Sequence, residues 1–445
     1  MKDKKLKEYL GFNPLLKIFK DEINKIPDTR QDSKVDYKLW DFVGSGFAMM
    51  YAQDESFLQF QKRMREETET GKCNLETVFK VSKLPESRSQ QNRILDEMDF
   101  NTFRPVFRLF VNRLKAAGIL KKFEFSNKKL LCALDGSEYF RSNKINCEYC
   151  LTTENKSGTS YSHKILQPVI IHPDLNFVIP LMPEEIKNTD GTKKQDCELN
   201  AAKRCIRKIK EDFPDLELIF TGDALYANQP FIELLRSEGY DFILNVKDEG
   251  HKTLMKNIDI SENVKIKEEV DKNQTRKYQY LNEVSMNLNK ETIFVNYLGL
   301  EIKEINKKGK ETIKKKSWVT NFKITDDLVE FFASGGSSRW KIENECFNVL
   351  KNHGYNMEHN YGHGKNGLSF IYYLLMLLSH FMHQIFEMVD EVYQKLRKKL
   401  GSKKHFWERI RSCFALILFD SWDDVLAYAL SPPKIKYKSG KLVPK

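Results

Sequence analysis

Hydrophobic and polar positions follow three successive regimes along the chain. Up to about residue 128 the apolar positions recur at helical spacing. Residues 74–84 form a short predicted helix broken at Pro85, and 87–98 a polar helix with Arg88, Gln90, Gln91, Asn92 and Arg93 expected on its outer side. Residues 102–120 form a third helix, carrying Phe103, Val106, Phe107, Phe110, Val111 and Leu114. From 129 to 250 the period shortens. Runs at 129–135, 162–172, 176–182, 216–221 and 242–246 predict strands, and 200–212 and 230–237 predict helices. The order β-β-β-α-β-α-β describes an α/β sheet with a mixed edge. Residues 251–322 then alternate again, at 275–280, 292–298 and 302–305, around turns at 287–290 and 306–309, as in an antiparallel β-rich insertion. A short helix at 326–332, a Ser-Gly-Gly-Ser-Ser loop at 334–338 and a helix at 339–351 follow. The run 368–388 is long enough to span a bilayer, but Ser379, His380, His383, Gln384 and Glu387 mark it as a buried core helix. The remainder is a basic helix, two apolar helical segments around 407–418 and 422–430, and a Pro432-Pro433 tail.

The helix at 339–351 carries the first chemical signal. On a wheel of about 100° per residue, Trp340, Ile342, Cys346, Phe347, Val349 and Leu350 share an apolar arc, with Lys341, Asn344, Glu345 and Asn348 opposite. Arg339 and Glu343 fall inside the apolar arc, one turn apart; an i,i+4 ion pair at the edge of a core is the plain reading. Two aspartates change it. Asp135 and Asp223 each follow a strongly apolar strand, where polar chemistry collects in α/β sheets. Two strand-end aspartates and one inward-facing helical glutamate supply the hard oxygen ligands of a two-metal phosphodiester site. Taken singly, each aspartate is also what a turn after a strand uses.

Charge points the same way. Lys+Arg number 73 against 62 Asp+Glu, a formal net charge of +11, which favours a polyanionic partner, nucleic acid before a membrane surface. The hydrophobic content of 41% excludes a disordered chain. Lys307, Lys308, Lys310, Lys314, Lys315 and Lys316 give the β-rich segment a basic edge suited to DNA backbone contact or to protecting an edge strand. Arg88 and Arg93, in a polar helix after a turn, suit phosphate or groove contact, the alternative being a solvated bundle face. The eight cysteines are scattered, with no secreted disulfide framework, and no apolar segment follows the basic N-terminus as a signal peptide requires. A reducing, cytoplasmic setting is expected. Cys147-Glu-Tyr-Cys150 has metal-ligand spacing without a second half, so a structural Zn2+ there needs His163, His172 or Cys197 brought in by folding; two reduced thiols near a turn are the alternative. The glycine-rich 362–367 stretch lacks a preceding strand and is read as a turn into the 368 helix. Glu138 is either a supporting carboxylate for Asp135 or a solvated residue.

Four blocks then stand in order: Leu134-Asp135-Gly136-Ser137, Gly222-Asp223-Ala224-Leu225-Tyr226-Ala227-Asn228, Trp318-Val319-Thr320-Asn321, and Arg339-Trp340-Lys341-Ile342-Glu343 continuing to Phe347 and Leu350-Lys351. With these blocks the chain resembles the DDE transposases of bacterial insertion sequences, in the branch with a β-rich insertion before the glutamate, over most of residues 30–390. The resemblance implies a ribonuclease-H-like mixed-sheet catalytic core, interrupted by the insertion and preceded by an all-α N-terminal domain. The corresponding divisions are 1–128 (helical, DNA-binding), 129–250 (core), 251–322 (insertion), 323–390 (core with the glutamate helix) and 391–445 (helical). It implies Mg2+ or Mn2+ held by Asp135, Asp223 and Glu343, and phosphate contacts from Arg339, Lys351 and Tyr226. It implies cleavage of double-stranded DNA at terminal inverted repeats and joining of the freed 3′-hydroxyl to target DNA, by a homodimer in a synaptic complex of a nucleoid-associated bacterial protein. A non-catalytic, domesticated DNA-binding descendant and a metal-dependent nuclease without strand transfer are the alternatives. Two departures stand out. Gly336 replaces the usual tyrosine three residues before the arginine, and the glutamate-to-lysine interval is one residue longer than the common form. The longer interval makes Glu345 a rival third ligand; the wheel favours Glu343.

Overall fold

The computed structural model describes residues 2–27, 36–54, 56–65, 73–156, 158–187, 195–271, 274–287, 292–305, 311–438 and 441–444. The expected turn at 306–309 and Lys307, Lys308 and Lys310 lie outside these residues. The chain divides into two compact units, Met1–Ile119 with Glu138–His163 and Phe347–Lys445, and Leu120–Ser137 with Lys164–Cys346.

The second unit is mixed α/β and is built on a mixed sheet. Leu130–Leu134 is apolar without interruption and almost wholly buried, as befits a strand covered on both faces. It pairs in parallel with Leu218–Gly222, which pairs in parallel with Asp241–Asn245. Beyond that strand the sheet turns antiparallel, through Glu311–Thr320, Phe294–Ile305, Gln274–Ser285 and Lys265–Asp271. On the opposite side Gly158–Ile171 lies next to Lys129–Ser142. Helix Glu198–Asp212 buries Ala201, Ala202, Cys205, Ile206 and Ile209, a stripe at the expected helical spacing.

Several expected boundaries move. The first strand runs through Asp135 to Ser142 instead of ending there. The runs expected as two strands at 292–298 and 302–305 form one strand, Phe294–Ile305, because Gly299 continues the ladder opposite Ser317. Of 176–182 only Ile179–Pro180 is a strand. The expected 334–338 loop is instead the end of helix Val329–Ser337. Its glycines permit a close approach that a propensity argument cannot see: a Cβ at Gly335 would meet the Phe125 ring, and one at Gly336 the Trp318 indole. A tyrosine at 336 therefore has no room in this packing.

The glutamate helix also departs from expectation. Residues Ile342–Phe347 form a π turn, followed by α-helix Asn348–Asn352. A π turn changes the helical phase, so a wheel drawn at constant pitch fits only one end. Cys346, Phe347, Val349 and Leu350 are buried as expected. Trp340, expected inside, is 42% exposed, and Lys341, expected outside, is 2% exposed. The Lys341 ammonium donates to the Leu175 carbonyl at 2.5 Å, which meets the cost of its burial.

The first unit is mainly helical around Leu368–Val389, which is long and apolar enough to cross a membrane by length and composition and whose most apolar window is wholly buried in this unit. Tyr51, Trp407 and Trp422 pack around it, with the His383 imidazole 4.4 Å from both the Tyr51 and Trp407 rings. Its N-terminus is held by Asp96, whose carboxylate accepts from the backbone N–H groups of Lys365, Asn366, Gly367 and Leu368. The glycine-rich stretch is thus the turn into the helix. In the polar helix Arg88–Asp96, Arg88 and Arg93 are exposed as expected, but Gln91 is fully buried.

Candidate active site

The parallel register brings the two aspartates level. Its last pair is Ala133 with Thr221, and each aspartate lies two residues farther on. Asp223 follows its strand in a tight turn, where its Oδ1 accepts from the Leu225 N–H at 2.9 Å and Asn228 caps the next helix through Phe231 N–H. Asp135 accepts from the Gly136 N–H at 3.0 Å.

Arg339 links Asp135 to the glutamate helix. Its Nη1 lies 3.5 Å from Asp135 Oδ2 and its Nη2 donates to Glu343 Oε1. The i,i+4 ion pair read from sequence exists, with Asp135 as a third member. Glu343 is the glutamate that meets this arginine. Glu345 instead acts on the charge of buried Lys341. Glu343 is the more open carboxylate, with its side chain 49% exposed against 21% for Asp135.

A fourth carboxylate completes the group. Glu198, in the first turn of helix Glu198–Asp212, accepts a 2.5 Å hydrogen bond from Tyr226 Oη and a backbone hydrogen bond from Gly136. Its carboxylate sits where a Cβ at Gly136 would fall, and the Tyr226 ring covers Gly222. The two glycines beside the aspartates are thus small because Glu198 and Tyr226 occupy the space. Tyr226 is fully buried, so its hydroxyl serves Glu198 and is not presented at the surface as a phosphate-binding residue. Sequence reasoning missed Glu198, since an acid in a first helical turn reads as an ordinary dipole contact.

The electrostatics record this convergence. Burial pushes the Asp135 carboxyl up to about 7; Arg339 opposes the shift, while Glu198, Glu343 and Asp223 add to it. Glu198 is raised as well, first by burial, with the Tyr226 hydrogen bond opposing. Asp135 with Glu198, Glu343 and Asp223 near it makes an oxygen-rich, cation-seeking group, and one guanidinium holds Asp135 and Glu343. The donor set fits a hard divalent ion, and the guanidinium already bridges two of its members.

The sign of the resulting pH dependence follows. Folded Asp135 keeps a proton that the unfolded chain has lost, so its stabilising contribution is complete below about pH 4 and disappears as pH rises through about 7. Without metal, Asp135→Asn is expected to be more stable relative to wild type at pH 8 than at pH 5, by on the order of 2 kcal/mol after solvent screening. Mg2+ at pH 8 should raise the wild-type Tm and leave the variant nearly unmoved. Thermal unfolding of both proteins at the two pH values tests this, and parallel Tm curves would contradict it.

The other expected contacts are placed as follows. Exposed Lys314 and Lys315 pair with Glu304 and Glu301 across the ladder, and Lys316 reaches Ser337 Oγ. Lys351 pairs with Glu358 at 3.0 Å. Arg88 donates to the carbonyls of Asn360 and Tyr361. Glu138 is held by Arg141 at 2.6 Å. A comparison with curated proteins finds no match. Residues 184–381 match the family model described as transposase DDE domain, a span that holds Asp223 and Glu343 and begins after Asp135. Through this span the chain is similar to the DDE domain of transposases.

Proposed function

We propose that the protein cuts DNA at the terminal inverted repeats of its element and joins the freed 3′-hydroxyl ends to target DNA. The observation that carries this reading is the meeting of Asp135 and Glu343 on Arg339, with Asp223 level with Asp135 after the adjacent parallel strand and near enough to raise its carboxyl, all within one unit. The mixed sheet, with aspartates level on adjacent parallel strands, supports reading the core as ribonuclease-H-like.

Asp135, Asp223 and Glu343 would hold Mg2+ or Mn2+, with Glu198 behind them. Bound there, divalent ions supply Lewis-acid stabilisation of the attacking and leaving oxygens of an in-line phosphodiester displacement. The chain's own residues do the rest. Gly136 and Leu225 N–H groups orient the aspartates, and the buried Tyr226 hydroxyl fixes Glu198. Arg339 offsets the mutual repulsion of the carboxylates and carries guanidinium N–H groups suited to a phosphate oxygen. The net charge of +11 favours the polyanionic substrate.

Linear DNA bearing the repeats that flank the gene, incubated with the full chain and Mg2+, tests the proposal. Wild type is expected to cut at the repeat boundary and to yield joined products, and Asp223→Asn to do neither. Cleavage without joined products would reduce the activity to that of a nuclease. Binding without cleavage in both Mg2+ and Mn2+ would overturn the proposal.

A further inference from the structure

A second cluster of metal-ligating side chains lies in the first unit. Cys147, Cys150, His163 and His363 bring their donor atoms within 4.8 Å of one another. Cys150, His163 and His363 are buried and Cys147 half-buried. Cys147 Sγ lies 3.8 Å from Cys150 Sγ. His163 Nε2 lies 3.5 Å from Cys147 Sγ and 3.4 Å from Cys150 Sγ. His363 Nε2 lies 3.4 Å from Cys150 Sγ and 3.2 Å from His163 Nε2.

These separations have a specific meaning. A tetrahedral zinc with Zn–S of about 2.3 Å and Zn–N of about 2.0–2.1 Å sets its ligands about 3.8 Å apart for S–S, about 3.5 Å for S–N and about 3.3 Å for N–N. The five separations fall within about 0.2 Å of those edges. The sulfurs are too far apart for a disulfide, whose S–S distance is about 2.05 Å. His363 is also set in the right tautomer. Its Nδ1 lies 2.9 Å from the Gly364 carbonyl, which can only accept, so the proton is on Nδ1 and the Nε2 lone pair faces the other three ligands. The loop carrying His363 is fixed in turn by the bonds of Asp96 to residues 365–368, and Phe140 packs 4.5 Å from the His363 ring.

We infer that Cys147, Cys150, His163 and His363 form a structural Zn2+ site that ties the Cys147–Cys150 turn and His163 in strand Gly158–Ile171 to the loop entering the long buried helix. Two thiolates and two imidazoles in tetrahedral array suit zinc. Four protein ligands leave no open position, so the role is structural, not catalytic. Of the partners weighed from sequence, His163 is one; His172 instead accepts the Asp174 N–H, and Cys197 is an exposed residue preceding a helix. His363, 200 residues beyond His163, supplies the missing half. The inference does not depend on the proposed DNA chemistry.

The test uses the full chain purified without chelator and metal analysis by mass spectrometry. One zinc per chain is expected, resistant to dialysis and released by a thiol-modifying reagent, with a fall in Tm on release. Cobalt exchanged into the protein should give the d–d absorption of a tetrahedral ion and a thiolate-to-cobalt charge-transfer band. His363→Cys should keep zinc and shift the cobalt spectrum towards three-thiolate ligation, while Cys150→Ser with His363→Ala should lose the metal. The wild-type stoichiometry and cobalt spectrum stand whether or not the double variant folds. Less than about 0.2 zinc per chain after growth with added zinc, a Cys147–Cys150 disulfide in its place, or iron instead of zinc would each overturn the inference.

Discussion

Asp223→Asn, Asp135→Asn and Glu343→Gln are each expected to lower DNA cleavage by at least roughly 10³-fold while leaving DNA binding within about threefold of wild type. The floor is set by comparison: losing an outer partner of a metal ligand typically costs 10–100-fold, and a charged oxygen ligand should cost more. Each replacement nearly preserves shape, so folding is spared. Asp135→Asn also removes the carboxyl that burial and three neighbouring acids hold near neutrality. Glu345→Gln is the internal control, because its carboxylate acts on Lys341 and does not contact Arg339. Gel-based cleavage and filter-binding assays on the same DNA separate the two effects. Near wild-type cutting by any of the three would remove that residue from the site, and loss of activity in Glu345→Gln with activity kept in Glu343→Gln would exchange the two glutamates.

Glu198→Gln should lower cleavage by roughly 10–100-fold, the range of an outer carboxylate that orients metal ligands. Tyr226→Phe should cost less, because Glu198 retains its backbone hydrogen bond from Gly136. The double variant is expected to be no worse than Glu198→Gln alone. Tyr226 acts through Glu198, and residues sharing one hydrogen bond are not additive. Additive losses would instead give Tyr226 an independent role. Restoration of Glu198→Gln by higher Mg2+ would place the loss in metal affinity, whereas a persistent deficit in kcat at saturating Mg2+ would place it in the chemical step.

How far these features were legible in the sequence depended on whether the signal was local. The apolar runs before Asp135 and Asp223 mark buried strands, and the polar groups inside 368–389 suit an interior helix. Local patterns fail where tertiary packing decides. Gly335 and Gly336 read as a loop, but Phe125 and Trp318 need their small size inside a helix. The apolar run stops at Leu134 and suggests a strand end at Asp135, yet the strand continues to Ser142. Glu198 and His363 carry no local signal at all; each gains its meaning from residues brought beside it by the fold.

The π turn at Ile342–Phe347 bears on the one-residue excess between Glu343 and Lys351. A π turn closes on the fifth residue where an α turn closes on the fourth, so it accommodates one additional residue as a local bulge. An extra residue at this point is one that the backbone can absorb, and it need not displace the side chains beyond it around the helix axis. Position along this helix is therefore better counted by turns from Glu343 than by constant spacing.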